Sequence, residues 1–313
     1  MFQTDRPLQI NEIDDFLKTQ NIFVNSIELY QKNDHMIKYL LDNKYMLKIS
    51  ESTLDEQMKQ QRVGTLRLAP KIRSSGSFAI SDTKYNYVII DYVQGDELWS
   101  VIQNFTDEEK YNIGKEIAQF LDELHSITDV YYDIGHYIPT ILRYKKSWKD
   151  GHLEYVSILR NGLSAMDLEI NSQKTVSKAF DYIYANIEAL EYQAGARLLH
   201  NDFHPKNIII HERKLAGVID WECSQFGEAD FELTHLFHWC VYPPVPENKF
   251  EILLKSVIEN LRIVNIPDIE KRLTIYQLEH DLNQLIWRGR GQEEERIEKI
   301  NGWLNGNIGC LLK

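Results

Sequence analysis

Residues 200–222 read HNDFHPKNIIIHERKLAGVIDWE. Side chains that can take a proton or hold a cation (His200, Asp202, His204, Asn207, Asp220, Glu222) gather around two apolar runs, 207–210 and 215–219. The runs are separated by HERK, which predicts a short hairpin with its tip at 212–214. Residues at the open end of a hairpin lie side by side, so Asn207 and Asp220 come within reach of one another. An amide oxygen and a carboxylate form a hard, oxygen-based cation site that suits Mg²⁺ better than Zn²⁺. Asp202 lies on the loop entering the same end and acts there without having to be a ligand. A cation that bridges phosphate oxygens, with a carboxylate that orients a hydroxyl and accepts its proton, is what phosphoryl transfer requires.

The same stretch admits a second chemistry. His200, Asp202 and His204 form H-x-D-x-H, and His235 with His238 has i, i+3 spacing, so the ligand types of a metallohydrolase are present. That reading gives Pro205, Asn207 and the hairpin no role, and it places metal ligands in THLFHW, which reads as buried helix.

The elements that must carry these residues follow from texture. The chain has 313 residues, 43% of them hydrophobic, which supports one large or two unequal folded domains. Its formal net charge of −12 disfavours a nucleic-acid partner and favours a cationic small molecule in an acidic cleft. Cys223, Cys240 and Cys310 are odd in number and far apart, which argues against a disulfide framework and for a reducing compartment, with the cytoplasm as the expectation. The opening MFQTDRPLQINEIDDFL carries acids where a signal peptide would carry bases, and no membrane segment is expected.

Residues 25–50 predict three antiparallel strands broken at QKND and LDNK, then a helix over 51–69 ended by Pro70, then two more strands with a turn at SDTK. After Gly95 the texture becomes helical. Thr106 and Glu109 form a capping box ahead of Ile113, Ile117, Phe120, Leu121 and Leu124, and further helices are expected near 151–163, near 173–191 and beyond Asp230. The boundary falls at DYVQGD, giving domains 1–94 and 95–313.

HNDFHPKN at 200–207, followed by IDWE at 219–222, resembles the catalytic and metal-binding motifs of the aminoglycoside phosphotransferase and choline kinase group. The resemblance implies an α+β, bilobal protein-kinase-like fold: a small N-terminal lobe of antiparallel sheet with one main helix, and a larger, mostly helical C-terminal lobe. It implies an Mg²⁺-dependent kinase that moves the γ-phosphate of ATP or GTP to a hydroxyl of a small acceptor. Asp202 would be the catalytic base, Asn207 and Asp220 the magnesium ligands, and Lys48 of YMLKIS the phosphate anchor, with Glu56, or alternatively Glu51, as its ion-pair partner. Ile90 would line the back of the adenine pocket, with the backbone of Asp91 and Val93 bonding the base. His200 would hold the loop, and Asp230 of GEADFEL would brace it. The resemblance covers about residues 25–240. This sequence departs from it in having no glycine in QKNDH, Lys206 at a position often glycine, and Glu228 where aspartate is common.

The acceptor region would include Glu222, Glu228, His238, Trp239, Tyr242 and the C-terminal helices bearing Glu279, Asp281, Trp287 and residues 293–295. Carboxylates there would suit an aminoglycoside, and aromatics a choline-type quaternary ammonium. A homoserine-type metabolite kinase is a further alternative within the same fold.

Overall fold

The computed structural model describes residues 8–32, 36–51, 62–80, 83–133, 143–145, 147–241 and 249–312. The chain divides into two compact units, one of Met1–Asp96 with Ile209–Glu212 and Ala216–Glu222, the other of Glu97–Ile208, Arg213–Leu215 and Cys223–Lys313. Parts of the hairpin thus cluster with the N-terminal residues although they lie more than a hundred positions further along the chain.

In the first unit, helix α1 (Ile10–Thr19) starts with a Gln9–Glu12 capping box and buries Ile13, Phe16 and Leu17. Strands β1 (Ile27–Lys32), β2 (Ile37–Leu41), β3 (Tyr45–Ser50), β4 (Ile72–Ile80) and β5 (Thr83–Asp91) form one antiparallel sheet of order β1-β2-β3-β5-β4. Asp42 and Asn43 take the left-handed backbone that the β2–β3 turn needs, at φ 50° and 53°, which short polar side chains tolerate. Alternation along the strands sorts the faces. Tyr39, Leu41, Leu47, Ile49, Tyr85, Tyr87 and Ile89 pack with α1, where Phe16 stacks on Phe78 at 3.9 Å. Leu40, Met46, Val88 and Ile90 form a separate apolar cluster on the other face, which is also the face of Lys38 and Lys48. Of the helix expected over 51–69, residues 52–61, including Glu56, lie outside the described residues and 63–69 form turns rather than helix; 33–35 of QKNDH also lie outside the described residues.

Strand β6 (Asp96–Glu97) leads into the second unit. There follow α2 (Leu98–Val101), α3 (Asp107–Leu124), β7 (Tyr132–Asp133), β8 (Arg143–Lys145), α4 (Trp148–Ser164), α5 (Ile170–Asn186) and β9 (Arg197–Leu199). The capping box closes on α3 as its sequence dictates: Glu109 N donates to Thr106 Oγ1 at 3.3 Å and Thr106 N to Glu109 Oε2 at 2.8 Å. Next come β10 (Ile208–His211), β11 (Lys214–Val218), β12 (Gln225–Gly227), α6 (Leu233–Val241), α7 (Glu251–Asn260), α8 (Ile269–Arg288), α9 (Glu293–Leu304) and α10 (Asn307–Leu311). Glu212 and Arg213 join β10 to β11 with φ 48° and 61°, the two positive values of the tight turn whose twist matches a hairpin. Gly217 lets that hairpin lie against its own unit: a Cβ there would stand 2.8 Å from Val93 and 3.1 Å from the Leu68 carbonyl, which accepts a 2.8 Å bond from Val218 N. Helix α8 runs through the core of the second unit, and Leu273, Ile275, Tyr276, Leu278, Leu282 and Leu285 are all buried. Among the described residues no helix is long and apolar enough to cross a membrane.

Candidate active site

The loop 200–207 leaves β9, which pairs with β12 in the register Leu199↔Gln225. Its entrance is pinned by Glu232, a carboxylate 1% exposed that accepts from His200 N at 2.6 Å and Asn201 N at 2.9 Å. Asn201 takes φ 60°, turning the chain so that Asp202 follows. His200 is fully buried, and its Nδ1 accepts from Asp202 N at 3.3 Å. His204 repeats the pattern, its Nδ1 accepting from Lys206 N at 3.2 Å. Two imidazole nitrogens are thereby spent on turning the loop, and the H-x-D-x-H spacing does not build a metal cage.

The turns deliver a held carboxylate. Asn207 Nδ2 donates to the Asp202 carbonyl at 2.9 Å and to Oδ2 at 3.1 Å. His204 Nε2 stands 3.6 Å from Oδ2, and His235 Nδ1, from α6, stands 3.4 Å from Oδ1. Burial pushes the Asp202 carboxyl up, but the neighbouring imidazoles of His204, His235 and His200 outweigh it and hold it below the ordinary value. It is an anion at neutral pH, and its side chain keeps 28% of its surface exposed, enough for a hydroxyl to reach it. Because the Asn207 nitrogen is committed to Asp202, the amide oxygen is the atom it can present to a cation.

In the first unit, Asp220 takes φ 65° and its Oδ1 lies 3.0 Å from Lys48 Nζ and 3.5 Å from Lys38 Nζ. Lys48 is 3% exposed and stands directly across the β2–β3 ladder from Lys38. Like charges opposite one another in a sheet destabilise it, so this pair calls for an anion. Both ammoniums point to the same carboxylate oxygen of Asp220, and groups of this kind also suit phosphate oxygens. Lys38 is a residue the sequence reading missed, although its signal was there: a turn at LDNK centred on residue 43 pairs 38 with 48. The carboxylate of Asp220 and the amide oxygen of Asn207 are hard donors and fit the chemistry of Mg²⁺. On the same face Ile90 is 4% exposed, in contact with the cluster of Leu40, Met46 and Val88. Asp91 N donates to Lys71 O at 3.0 Å and Tyr92 N to Lys44 O at 2.8 Å, so at Asp91 the carbonyl is the backbone group to consider for a base. Its side chain is held by Arg73 at 2.6 and 3.0 Å.

Two assignments are corrected. Asp230 does not brace the loop 200–207; it is fully buried against Arg272, with bonds of 2.6 and 3.0 Å, and the bracing carboxylate is Glu232, two residues on. The short 3₁₀ segment Ala229–Glu232 turns these neighbours in different directions, which spacing alone did not resolve. Glu228 does not face an acceptor either. It is 0% exposed and accepts from Tyr132 Oη, Ala194 N at 3.0 Å and Gly195 N at 3.1 Å.

Of the other acceptor candidates, Trp239 stacks on His204 at 4.5 Å with Lys206 Nζ 5.1 Å from its ring, so it lies beside the loop 200–207. His238 does not. Its Nδ1 is 3.7 Å from Asp281 Oδ1, and its ring lies 4.2 Å from that of His280. Glu279 is buried against His152, Trp287 is 73% exposed at the end of α8, and Glu222 is half-buried in the turn Trp221–Cys223. Among the described residues, His238, His280 and Asp281 bring three metal-ligand atoms within 4.8 Å of one another. Arg296 Nη1 lies 3.1 Å from Asp281 Oδ1 and 3.3 Å from His238 Nε2, so a guanidinium already supplies the positive charge there.

The loop 200–207 thus presents a protected carboxylate, Asp202, bonded to an amide five residues on. The sequence model of the phosphotransferase enzyme family matches residues 38–248, more than half of the chain. The chain belongs to that family. No curated protein sequence matches it. Among solved structures it is similar to a thermostable mutant of aminoglycoside phosphotransferase APH(4)-Ia in a ternary complex with AMP-PNP and hygromycin B, with TM-score 0.70 and 17% identity, covering 95% of this chain and 99% of that one. The GDP complex of aminoglycoside 2'-phosphotransferase-IIIa gives TM-score 0.70 and 16% identity over 96% of this chain and 100% of that one. ADP-bound aminoglycoside phosphotransferase APH(2'')-Ib gives 0.62 and 19% over 98% and 100%. At these identities the likeness is one of fold.

Proposed function

We propose that this chain transfers the terminal phosphate of ATP or GTP, with Mg²⁺, to a hydroxyl of a small cationic acceptor such as an aminoglycoside, in the cytoplasm. The observation that carries the reading is the Asp202 carboxylate, ionised, bonded to Asn207 through Oδ2, with His235 3.4 Å from Oδ1 and 28% of the side chain exposed. Asp202 aligns the acceptor hydroxyl and takes its proton as the oxygen attacks phosphorus. Lys48, aided by Lys38, draws the phosphates to the sheet face on which Ile90 offers an apolar wall, with the Asp91 carbonyl and Val93 as contacts for the base. Asn207 and Asp220 would hold Mg²⁺, which when bound neutralises charge on the phosphate oxygens.

The neighbours crystallised with AMP-PNP, ADP or GDP support a nucleotide donor, and the complex with hygromycin B supports an aminoglycoside-like acceptor. The test is a nucleotide-consumption screen of purified protein with Mg²⁺ against aminoglycosides, choline, homoserine, methylthioribose and macrolides, with Asp202→Asn in parallel. Turnover with an aminoglycoside that Asp202→Asn abolishes while keeping nucleotide binding is the expected result. Normal transfer by Asp202→Asn would remove the base assignment.

A further inference from the structure

We infer that His235, carried by α6 rather than by the loop motif, is a positioning residue for Asp202, donating its Nδ1–H to Oδ1 and so fixing the plane of the carboxylate. The inference rests on Asp202 being the base. A carboxylate held through one oxygen still swings about its last torsion, which is broad for aspartate. On Oδ2 the holders are Asn207 Nδ2 at 3.1 Å and His204 Nε2 at 3.6 Å, both from the loop itself. His235 approaches the other oxygen at 3.4 Å from a separate element, so the two oxygens are tied to parts of the structure that do not move together by default. The remaining solvent-facing lone pairs are then aimed in one direction, toward the incoming hydroxyl.

The surroundings of His235 fit a neutral donor. Its side chain is 10% exposed, and its ring stands edge-on to His280, 5.3 Å away at 79°. Burial, then the neighbouring His280, push its pKa down to about 3, so at neutral pH one ring nitrogen carries a hydrogen and the other a lone pair. Facing a carboxylate, the nitrogen that carries the hydrogen must be Nδ1, since the other tautomer would set lone pair against lone pair. His280 is itself packed on His238 at 4.2 Å, and α8, which bears it, is anchored by Asp281 to Trp303 Nε1 at 2.8 Å and Arg296 at 3.1 Å. The donor is therefore backed by the core of the second unit.

The test compares wild type, His235→Gln, His235→Leu and Asp202→Asn in MgATP or MgGTP turnover with hygromycin B as the first acceptor probe, and with water as acceptor if hygromycin B is not phosphorylated. His235→Leu is expected to lower kcat about 10- to 100-fold, in line with the cost of an ångström of misplacement, while the nucleotide KM stays within about twofold. His235→Gln, which keeps an N–H donor, is expected to recover most of the loss. Independently of activity, nitrogen NMR of histidine-labelled protein is expected to show His235 as the Nδ1–H tautomer, with that nitrogen shifted in Asp202→Asn. An Nε2–H tautomer overturns the inference, and so does a His235→Leu enzyme with unchanged kcat beside a dead Asp202→Asn. If Asp202→Asn is fully active, it is the base assignment that falls, whatever His235 does. A loss in His235→Leu that His235→Gln does not restore, with lowered thermal stability in both, marks His235 as a packing residue only and also overturns the inference.

Discussion

Replacing Glu232 by Gln should loosen the catalytic loop from a distance, because this side chain touches the loop only through its backbone. Glu232 accepts two charge-assisted bonds, 2.6 Å from His200 N and 2.9 Å from Asn201 N, in a site 1% exposed. Bonds to an ionised group contribute about 1.5–3 kcal/mol each. Glutamine keeps one acceptor oxygen but turns an N–H toward the second amide, so one bond is lost and a buried donor is left without an acceptor. The expected net loss is about 2–4 kcal/mol. At about 1.36 kcal/mol per factor of ten, a local loss of that size speeds hydrogen exchange at the His200 and Asn201 amides about 30- to 1,000-fold. Turnover should fall by about two orders of magnitude if Asp202 is displaced by an ångström, and the melting temperature by roughly 5–10 °C. The assay is residue-resolved hydrogen exchange alongside phosphate transfer. Unchanged exchange at both amides in Glu232→Gln would refute the reasoning, as would selective release of the same two amides by Asp230→Asn.

Three other perturbations are informative. Arg272→Leu leaves Asp230 buried without its guanidinium and takes away the bonds to the Ala189 and Tyr192 carbonyls at 2.9 and 2.8 Å. Denaturant unfolding should show a loss of about 3–5 kcal/mol, with a smaller loss in the Arg272→Leu, Asp230→Leu double variant. Lys38→Met removes an ammonium that stands 3.5 Å from Asp220, so calorimetry should find ATP bound about tenfold more weakly and adenosine equally well; equal weakening of both would place Lys38 outside the phosphate site. The third concerns pH. His235 and His238 have folded-state pKa values depressed by burial to about 3 and about 2, against about 6.5 in an unfolded chain. Their stabilising contribution is complete above pH 6.5 and is lost as pH falls toward those values, because the unfolded state binds protons the folded state refuses. Unfolding free energy should decline between pH 6.5 and 3 by up to about 2.7 kcal/mol per pH unit, and His238→Asn should halve the slope.

Local rules sufficed wherever a few neighbouring residues decide an outcome. The capping box at Thr106, the turn at LDNK and the strand–turn–strand of 207–219 formed as their sequences imply, since each depends on backbone preferences and hydrogen bonds within a few positions. The loop motif was legible for the same reason, its bonds running between residues two to five apart. Asp230 and Glu232 were not separable that way. Both are acids in one short segment, and which meets Arg272 and which meets the loop depends on where α8 and β9 lie. His235 carried a similar ambiguity, since THLFHW announces burial but not the group on the other side.

What the chain order alone supplied was a candidate chemistry: an acid, an amide and a second acid spaced around two β-prone runs, in motifs that resemble those of phosphotransferases. Only tertiary structure decided which carboxylates remain available. Glu228, Asp230, Glu232, Glu279 and Asp281 are each consumed by buried partners, while Asp202 keeps an open side. A carboxylate's role is set by the desolvation it suffers and the donors that offset it, and those donors come from elements distant in sequence.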